Sequence, residues 1–139
     1  MTNDYTITFT DQPAWDIIGG GLTIFNHQHA GDDRPQRLCF VLKVPDGAIV
    51  GGVIGIVYWD WLAVDLLYLP EELRGQGYGS QLLTVIEEEG RRRGARHVHL
   101  DTFSFQAPEF YQRHGYRIFG ELSDFPPGHT RYYLTKELT

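Results

Sequence analysis

One cysteine, Cys39, is all the thiol chemistry that this chain of 139 residues holds. A lone cysteine excludes an intramolecular disulfide framework. Its setting in the apolar run Leu38-Cys39-Phe40-Val41 predicts a core-packing role. Positive charge is also scarce, with 12 Lys and Arg against 18 Asp and Glu and a formal net charge of −6. A nucleic-acid partner would call for a basic face, so that class is set aside. No apolar run reaches the length of a membrane span. Met1-Thr2-Asn3-Asp4 lacks a basic region followed by an apolar stretch, so no secretory signal is read and a cytoplasmic location is expected. Repeats, low-complexity tracts and long linkers are missing too, and hydrophobic content is 42%. Together these predict one globular domain over residues 1–139, which at this size buries about two-thirds of its unfolded surface.

What is present alternates between strand and helix patterns. Thr6–Thr10 alternates and predicts a first strand. Residues 12–28 carry a helical pattern that Gly19-Gly20-Gly21 should weaken or split. Arg37–Val44 and Ile49–Trp59 read as strands joined by the turn Pro45-Asp46-Gly47. Asp60 turns the chain into a further strand that ends at Leu69. A helix over 77–93 follows, then a strand at His97–Thr102, a short helix opened by Pro108 and ended by Gly115, and closing strands at Tyr116–Glu121 and Arg131–Leu138. The sum is mixed α/β, with hairpins early and a strand–helix–strand crossover in the middle. Glu87, Glu88 and Glu89 each precede one of Arg91, Arg92 and Arg93 by four residues, which predicts three ion pairs on a solvated helix face.

The densest chemical signal is Arg74-Gly75-Gln76-Gly77-Tyr78-Gly79, set between a strand and a helix. A glycine-rich turn opening a helix leaves backbone N–H groups unpartnered, admits an anion closely, and lies in the favourable end of the helix dipole. It therefore reads as a phosphate cradle. A dinucleotide fingerprint would place its third glycine at residue 80, and here it falls at Gly79. A triphosphate loop would show a lysine after its last glycine, where this chain has Ser80.

The pattern that does match is R-x-x-G-x-G at Arg74, Gly77 and Gly79, which resembles the acetyl-coenzyme A pyrophosphate loop of the GNAT N-acetyltransferase superfamily. Phe110-Tyr111-Gln112-Arg113-His114-Gly115-Tyr116 resembles that superfamily's second signature, one strand beyond the first helix. The likeness covers residues from about 50 to 138 and is loose in the first quarter. It implies a single-domain GNAT (acyl-CoA N-acyltransferase) fold, a mixed and mostly antiparallel sheet flanked by helices. It also implies acetyl-CoA as cosubstrate and a small-molecule or peptide amine as acceptor. No membrane partner and no metal are expected, and pairing into a homodimer through the C-terminal strands would fit the resemblance.

Residue roles follow from the same resemblance. Arg74, Gly75, Gln76, Gly77, Tyr78, Gly79 and Ser80 would grip the pyrophosphate, and the backbone of Leu67 and Leu69 would pair with the pantetheine arm. Tyr111 would be the general acid that protonates the leaving thiolate. Ser104 stands where many members have an asparagine, so contacts to the arm from Ser104 and Gln106 are expected in its place. Asp65, a charged residue in an apolar strand, is the candidate base. Alternation puts it on the face of Leu67 and Leu69, where burial would raise its pKa; a strand-end aspartate bonded to a neighbour is the equal alternative. His27, His29, His97 and His99 form two His-x-His pairs without further ligands at a recognised spacing. His129, Trp59 and Trp61 are candidates to line the acceptor pocket. With no cysteine in a relay position, direct attack in a ternary complex is the leading reaction. A coenzyme A-binding sensor that has lost catalysis is the competing class, and a nucleotide-binding protein is a distant third.

Overall fold

The computed structural model describes residues 4–138, which divide into an arm ending at Asp33 and a body beginning at Arg34. In the arm, Thr6–Thr10 forms no strand, contrary to expectation. Alternation makes a segment fit to be a strand, and a ladder still requires a neighbour. Helix α1 (Trp15–Ala30) runs unbroken through Gly19, Gly20 and Gly21. Each glycine costs a helix up to about 1 kcal/mol in propensity but keeps its N–H, so the hydrogen-bond ladder survives. The helix buries none of its residues. Gly31, at φ 81°, ends it.

The body is a six-stranded sheet in the order β1-β2-β3-β4-β6-β5. Its strands are β1 (Gln36–Lys43), β2 (Ile49–Tyr58), β3 (Trp61–Tyr68), β4 (His97–Phe103), β5 (Arg117–Ser123) and β6 (Thr130–Glu137). Every neighbouring pair is antiparallel except β3 and β4, which helix α2 (Tyr78–Arg92) connects as a crossover. Helix α3 (Pro108–Arg113) follows β4. The expected mixed, mostly antiparallel sheet is therefore the observed one.

One face of the sheet carries the core. Val53 and Val57 of β2, Leu62 and Val64 of β3, and Val98 and Leu100 of β4 are buried against Leu82, Leu83 and Ile86 of α2. Gly90 permits α2 to lie close, since a Cβ there would stand 3.1 Å from Leu62 Cδ2. Period-2 alternation turns the other residues of these strands to the opposite face. There Cys39 of β1 is exposed rather than packed in the core, across the ladder from Ile54.

The site is positioned by where the parallel ladder stops. Trp61, Leu62 and Ala63 pair with His97, Val98 and His99. Beyond them β3 continues to Tyr68 and β4 to Phe103 without a shared ladder, so the sheet splits at its centre. A bulge sharpens the split: Ile54 pairs with Leu66 but Gly55 with Val64, leaving Asp65 as the extra residue.

Candidate active site

The glycine-rich segment lies beyond the end of β3. Glu71–Leu73 makes one 3-10 turn, and Arg74 Nε then donates to the Leu69 carbonyl oxygen at 2.9 Å, folding the segment back on the strand end. Gln76 Nε2 donates to the Glu72 carbonyl oxygen at 2.9 Å. Gly75 and Gly77 have φ 74° and 91°, a left-handed backbone that costs an L side chain about 1–2 kcal/mol. Gly77 is the N-cap of α2 and no side chain caps the helix. The first intrahelical bond is from Gln81 N–H to the Gly77 carbonyl oxygen, so the N–H groups of the preceding turn point out of the helix end. A Cβ built at Gly75 meets nothing within 4 Å, and one at Gly77 meets only Gln81 Nε2 at 4.0 Å. The loop is therefore uncrowded on the Cβ side of both glycines, which suits an anion cradle.

Two contacts lock α3 onto the first turn of α2. A Cβ at Gly79 would touch the Phe110 ring at 3.4 Å, so the glycine is what admits that ring. Ser80 Oγ is hydrogen-bonded to His114 Nε2 at 2.9 Å, and the His114 ring lies 4.8 Å from Phe110. The Ser80 hydroxyl thus tethers two helices, and His114 is a positioning residue that sequence reasoning passed over. Tyr78 and Leu67 pack against the core, and Leu69 is buried.

Tyr111, on α3, stands edge-on to Phe110 at 5.1 Å and to Tyr116 at 5.9 Å. Among the described residues its hydroxyl has no hydrogen-bond partner. Burial, followed by the negative charge of Asp101, raises its pKa above 10.0. It is a phenol that holds its proton at neutral pH and has it available to donate.

Asp101, in the part of β4 beyond the parallel ladder, is the acid whose field Tyr111 feels. Its Oδ1 accepts from Arg131 Nε at 3.1 Å and lies 2.8 Å from Arg131 Nη2. Arg131 in turn lies over the rings of Phe103, Phe125 and Tyr133, at 5.5, 5.0 and 5.3 Å. The Phe105 ring stacks on Phe103 at 5.4 Å and meets His129 edge-on at 4.9 Å. An aromatic cluster holding a carboxylate therefore closes this end of β4. The one hint of it in the sequence was the density of aromatic residues from Phe103 to Phe125.

Asp65 does not have the expected surroundings. The bulge turns it to the face opposite Leu67, where it is 42% exposed and its Oδ2 lies 3.5 Å from Arg37 Nη1. The expected burial is not there. Ser104 and Gln106 are likewise engaged within the chain. Ser104 N–H donates to the Thr130 carbonyl oxygen at 2.8 Å, and Ser104 Oγ accepts from Thr130 N–H at 3.1 Å. Gln106 Oε1 accepts from Phe103 N–H at 2.8 Å and from Thr102 Oγ1 at 3.2 Å. Both residues shape the turn between β4 and α3.

Trp59 and Trp61 lie at the other end of the parallel pair. With Tyr58, His99, Phe119 and Glu137 they line an open groove of about 540 Å³. Trp61 stacks on His97 at 4.6 Å and meets His99 at 5.6 Å, so these histidines pack on a ring. In the arm, His27, Asp32 and Asp33 bring ligand atoms within 4.8 Å of one another. The His27 Nε2 to Asp33 Oδ1 hydrogen bond of 2.9 Å accounts for that closeness, and His29 bonds to the Phe25 carbonyl oxygen instead of joining the group.

A mixed sheet split at its one parallel pair, with an anion cradle at the head of the crossover helix, defines an acyltransferase fold. The chain belongs to the GNAT acetyltransferase family, whose model matches residues 2–116. It is 45% identical over 93 residues to blasticidin-S acetyltransferase of Streptomyces morookaense, covering 66% of this chain and 68% of that protein. It is 32% identical over 126 residues to the acetyltransferase Atu2258 of Agrobacterium fabrum, covering 91% and 92%. The crystal structure of an acetyltransferase from Bacillus cereus superposes with a TM-score of 0.90 at 36% identity, over 96% of this chain and 97% of that one.

Proposed function

We propose that this acetyltransferase moves an acetyl group from acetyl-coenzyme A to a primary amine of a small antibiotic-like molecule, by direct attack with both substrates bound. The observation that carries the reading is the lock between the two signature segments. Gly79 against Phe110 and Ser80 against His114 hold an unpartnered, protonated phenol beside an uncapped helix end. The open cradle from Gly75 to Gly79 fits a pyrophosphate, and the edge of β3 beyond Ala63 fits the extended pantetheine arm.

The amine nitrogen forms its bond to the thioester carbonyl carbon as the carbon–sulfur bond breaks. Tyr111 gives its proton to the departing sulfur. The Asp101 carboxylate favours the cationic amine's approach; the nitrogen loses one proton to water before it attacks, and the second, shed as the amide forms, returns through water to the Tyr111 phenolate. No acyl-enzyme step is needed, and the one cysteine sits on β1, two strands away from the split. The relative's action on blasticidin S, together with the partly exposed Phe105 and Phe125 rings, favours a flat, amine-bearing acceptor of that kind.

The test is thiol release from acetyl-coenzyme A with a panel of amines that includes blasticidin S. Tyr111→Phe should lower kcat by about 100-fold with the KM for acetyl-coenzyme A nearly unchanged. Equal turnover in the variant rejects the assignment of Tyr111. Coenzyme A binding without thiol release from any amine would favour a sensor over an enzyme.

A further inference from the structure

Among the described residues no hydrogen bond fixes where the Tyr111 hydroxyl points. Its helix gives little help, because α3 is six residues long and too short to hold its shape without tertiary contacts. The phenol is therefore placed by the neighbours of its ring and of its backbone, and Tyr116 supplies both. The Tyr116 ring meets the Tyr111 ring edge-on at 5.9 Å, and Tyr116 N–H donates to the Tyr111 carbonyl oxygen at 3.1 Å.

Tyr116 is anchored at its far end in turn. Its hydroxyl donates at 2.6 Å to Oε2 of Glu87, a carboxylate buried on α2. Lys136 Nζ donates to both Glu87 oxygens, at 3.0 and 3.3 Å, and stands 5.3 Å from the centre of the Tyr116 ring. Lys136 thus supplies the opposite charge that a buried carboxylate requires. Replacing a buried ion pair by well-packed apolar groups is often neutral for stability, so stability alone does not call for charge at this place. A short, directional bond does what apolar packing does not: it fixes one position for the ring that bears the hydroxyl.

We propose that Glu87 is a positioning residue for acetyl transfer, acting through the Tyr116 hydroxyl to fix the place of the Tyr111 phenol. The inference rests on the reading of Tyr111 as the proton donor. Helix α2 then grips α3 on both sides of Tyr111. Its first turn holds Phe110 against Gly79 and His114 at Ser80, and Glu87, about two turns further on, holds Tyr116. Proton transfer depends on such placement, since a displacement of about 1 Å can cost about 100-fold in rate.

The test is a kinetic cycle on the full chain, with acetyl-coenzyme A and the amine of the panel that releases thiol fastest. Tyr116→Phe keeps the ring and removes the bond to Glu87. It should lower kcat by about tenfold and leave the KM for acetyl-coenzyme A within about twofold. Glu87→Ala should match it, whereas Glu87→Gln, which still offers the phenol an acceptor, should recover most of the rate. In a Tyr111→Phe background, Tyr116→Phe should cost no more than about twofold further, because no proton is left to place. Each variant should keep the rise in Tm on adding coenzyme A, which also shows that it is folded. If Glu87→Ala does not fold, Tyr116→Phe and Glu87→Gln carry the test. Wild-type kcat in Tyr116→Phe overturns the proposal. So does an equal loss with and without Tyr111, which would make Glu87 a support of the fold alone. Wild-type turnover in Tyr111→Phe by itself is a different failure: it removes the reading of Tyr111, and this inference with it.

Discussion

At Gly77 the cradle rests on a single missing atom. The residue holds φ 91° as N-cap of α2, and a Cβ there would meet nothing closer than Gln81 Nε2 at 4.0 Å. Gly77→Ala should therefore strain the backbone without a clash, lowering stability by about 1–2 kcal/mol. Its methyl would also project toward the N–H groups that receive the anion. The rise in Tm on adding coenzyme A should shrink accordingly, and an undiminished shift would place the pyrophosphate elsewhere. Asp101 supports a second prediction. Asp101→Asn should reduce kcat/KM for the amine by about tenfold, whereas Asp65→Asn should leave it unchanged. In the sequence Asp65 stood out and Asp101 was passed over, although each is a lone carboxylate within a strand. What separates them is the bulge that turns Asp65 toward Arg37, and a bulge has no signature in a single run of residues. The glycine register and the Phe110–Tyr116 segment were legible because each is short, local and tied to a backbone geometry that few residues can adopt.

Elements were legible where period and punctuation agreed, and misread where a partner decided. The hairpin at Pro45-Asp46-Gly47 and the limits of α2 follow from local chemistry alone. The charged face of α2 does not. Arg92 and Arg93 both pair with Glu89, which lowers the Glu89 pKa to about 2, while Glu87 turns inward and is buried. It accepts from Tyr116 Oη at 2.6 Å and from Lys136 Nζ at 3.0 Å, joining α2 to β6 and to the entry of β5. The expected i,i+4 pair of Glu87 gave way because a part-buried Lys136 and a buried phenol offer it stronger bonds, and that of Glu88 because Arg92 turns to Glu89. Burial first, then the bond to Glu87, raises the Tyr116 pKa far above 10.0. The folded state thus keeps this proton at a pH where the unfolded chain releases it. Stability is unaffected below about pH 10 and falls above it, by about 1.4 kcal/mol per pH unit for one proton. Tyr116→Phe should remove one proton's worth of that alkaline slope in denaturant titrations, while costing about 1.5–3 kcal/mol at neutral pH through the lost bond to a charged partner. An alkaline slope equal to that of the wild type would show that Tyr116 is not the group responsible.

For the whole molecule, the distribution of the core decides what the arm contributes. Among the described residues, every buried residue of the hydrophobic cluster lies beyond Arg34, and so do all six strands, the cradle and Tyr111. The arm adds no ladder and no core residue, and no helix among the described residues is long and apolar enough to cross a membrane. Its alternation at Thr6–Thr10 and its helical stripe were both visible in the sequence, yet neither reveals what they pack on, because packing partners are set by chain topology. A chain beginning at Arg34 should therefore still fold cooperatively. It should keep a coenzyme A-induced rise in Tm within a few degrees of that of the full chain, since ligand stabilisation depends on the site's own affinity. The sheet face of Cys39, Val41, Ile54 and Leu66 is apolar and exposed, so the shortened protein should aggregate as its concentration rises. Leu66→Lys in the same shortened chain should restore its solubility, because the charge interrupts the patch at its most exposed apolar side chain. A shortened chain without a cooperative melt would show that the arm helps to make the fold, and one equally soluble with and without Leu66→Lys would show that this sheet face does not drive aggregation.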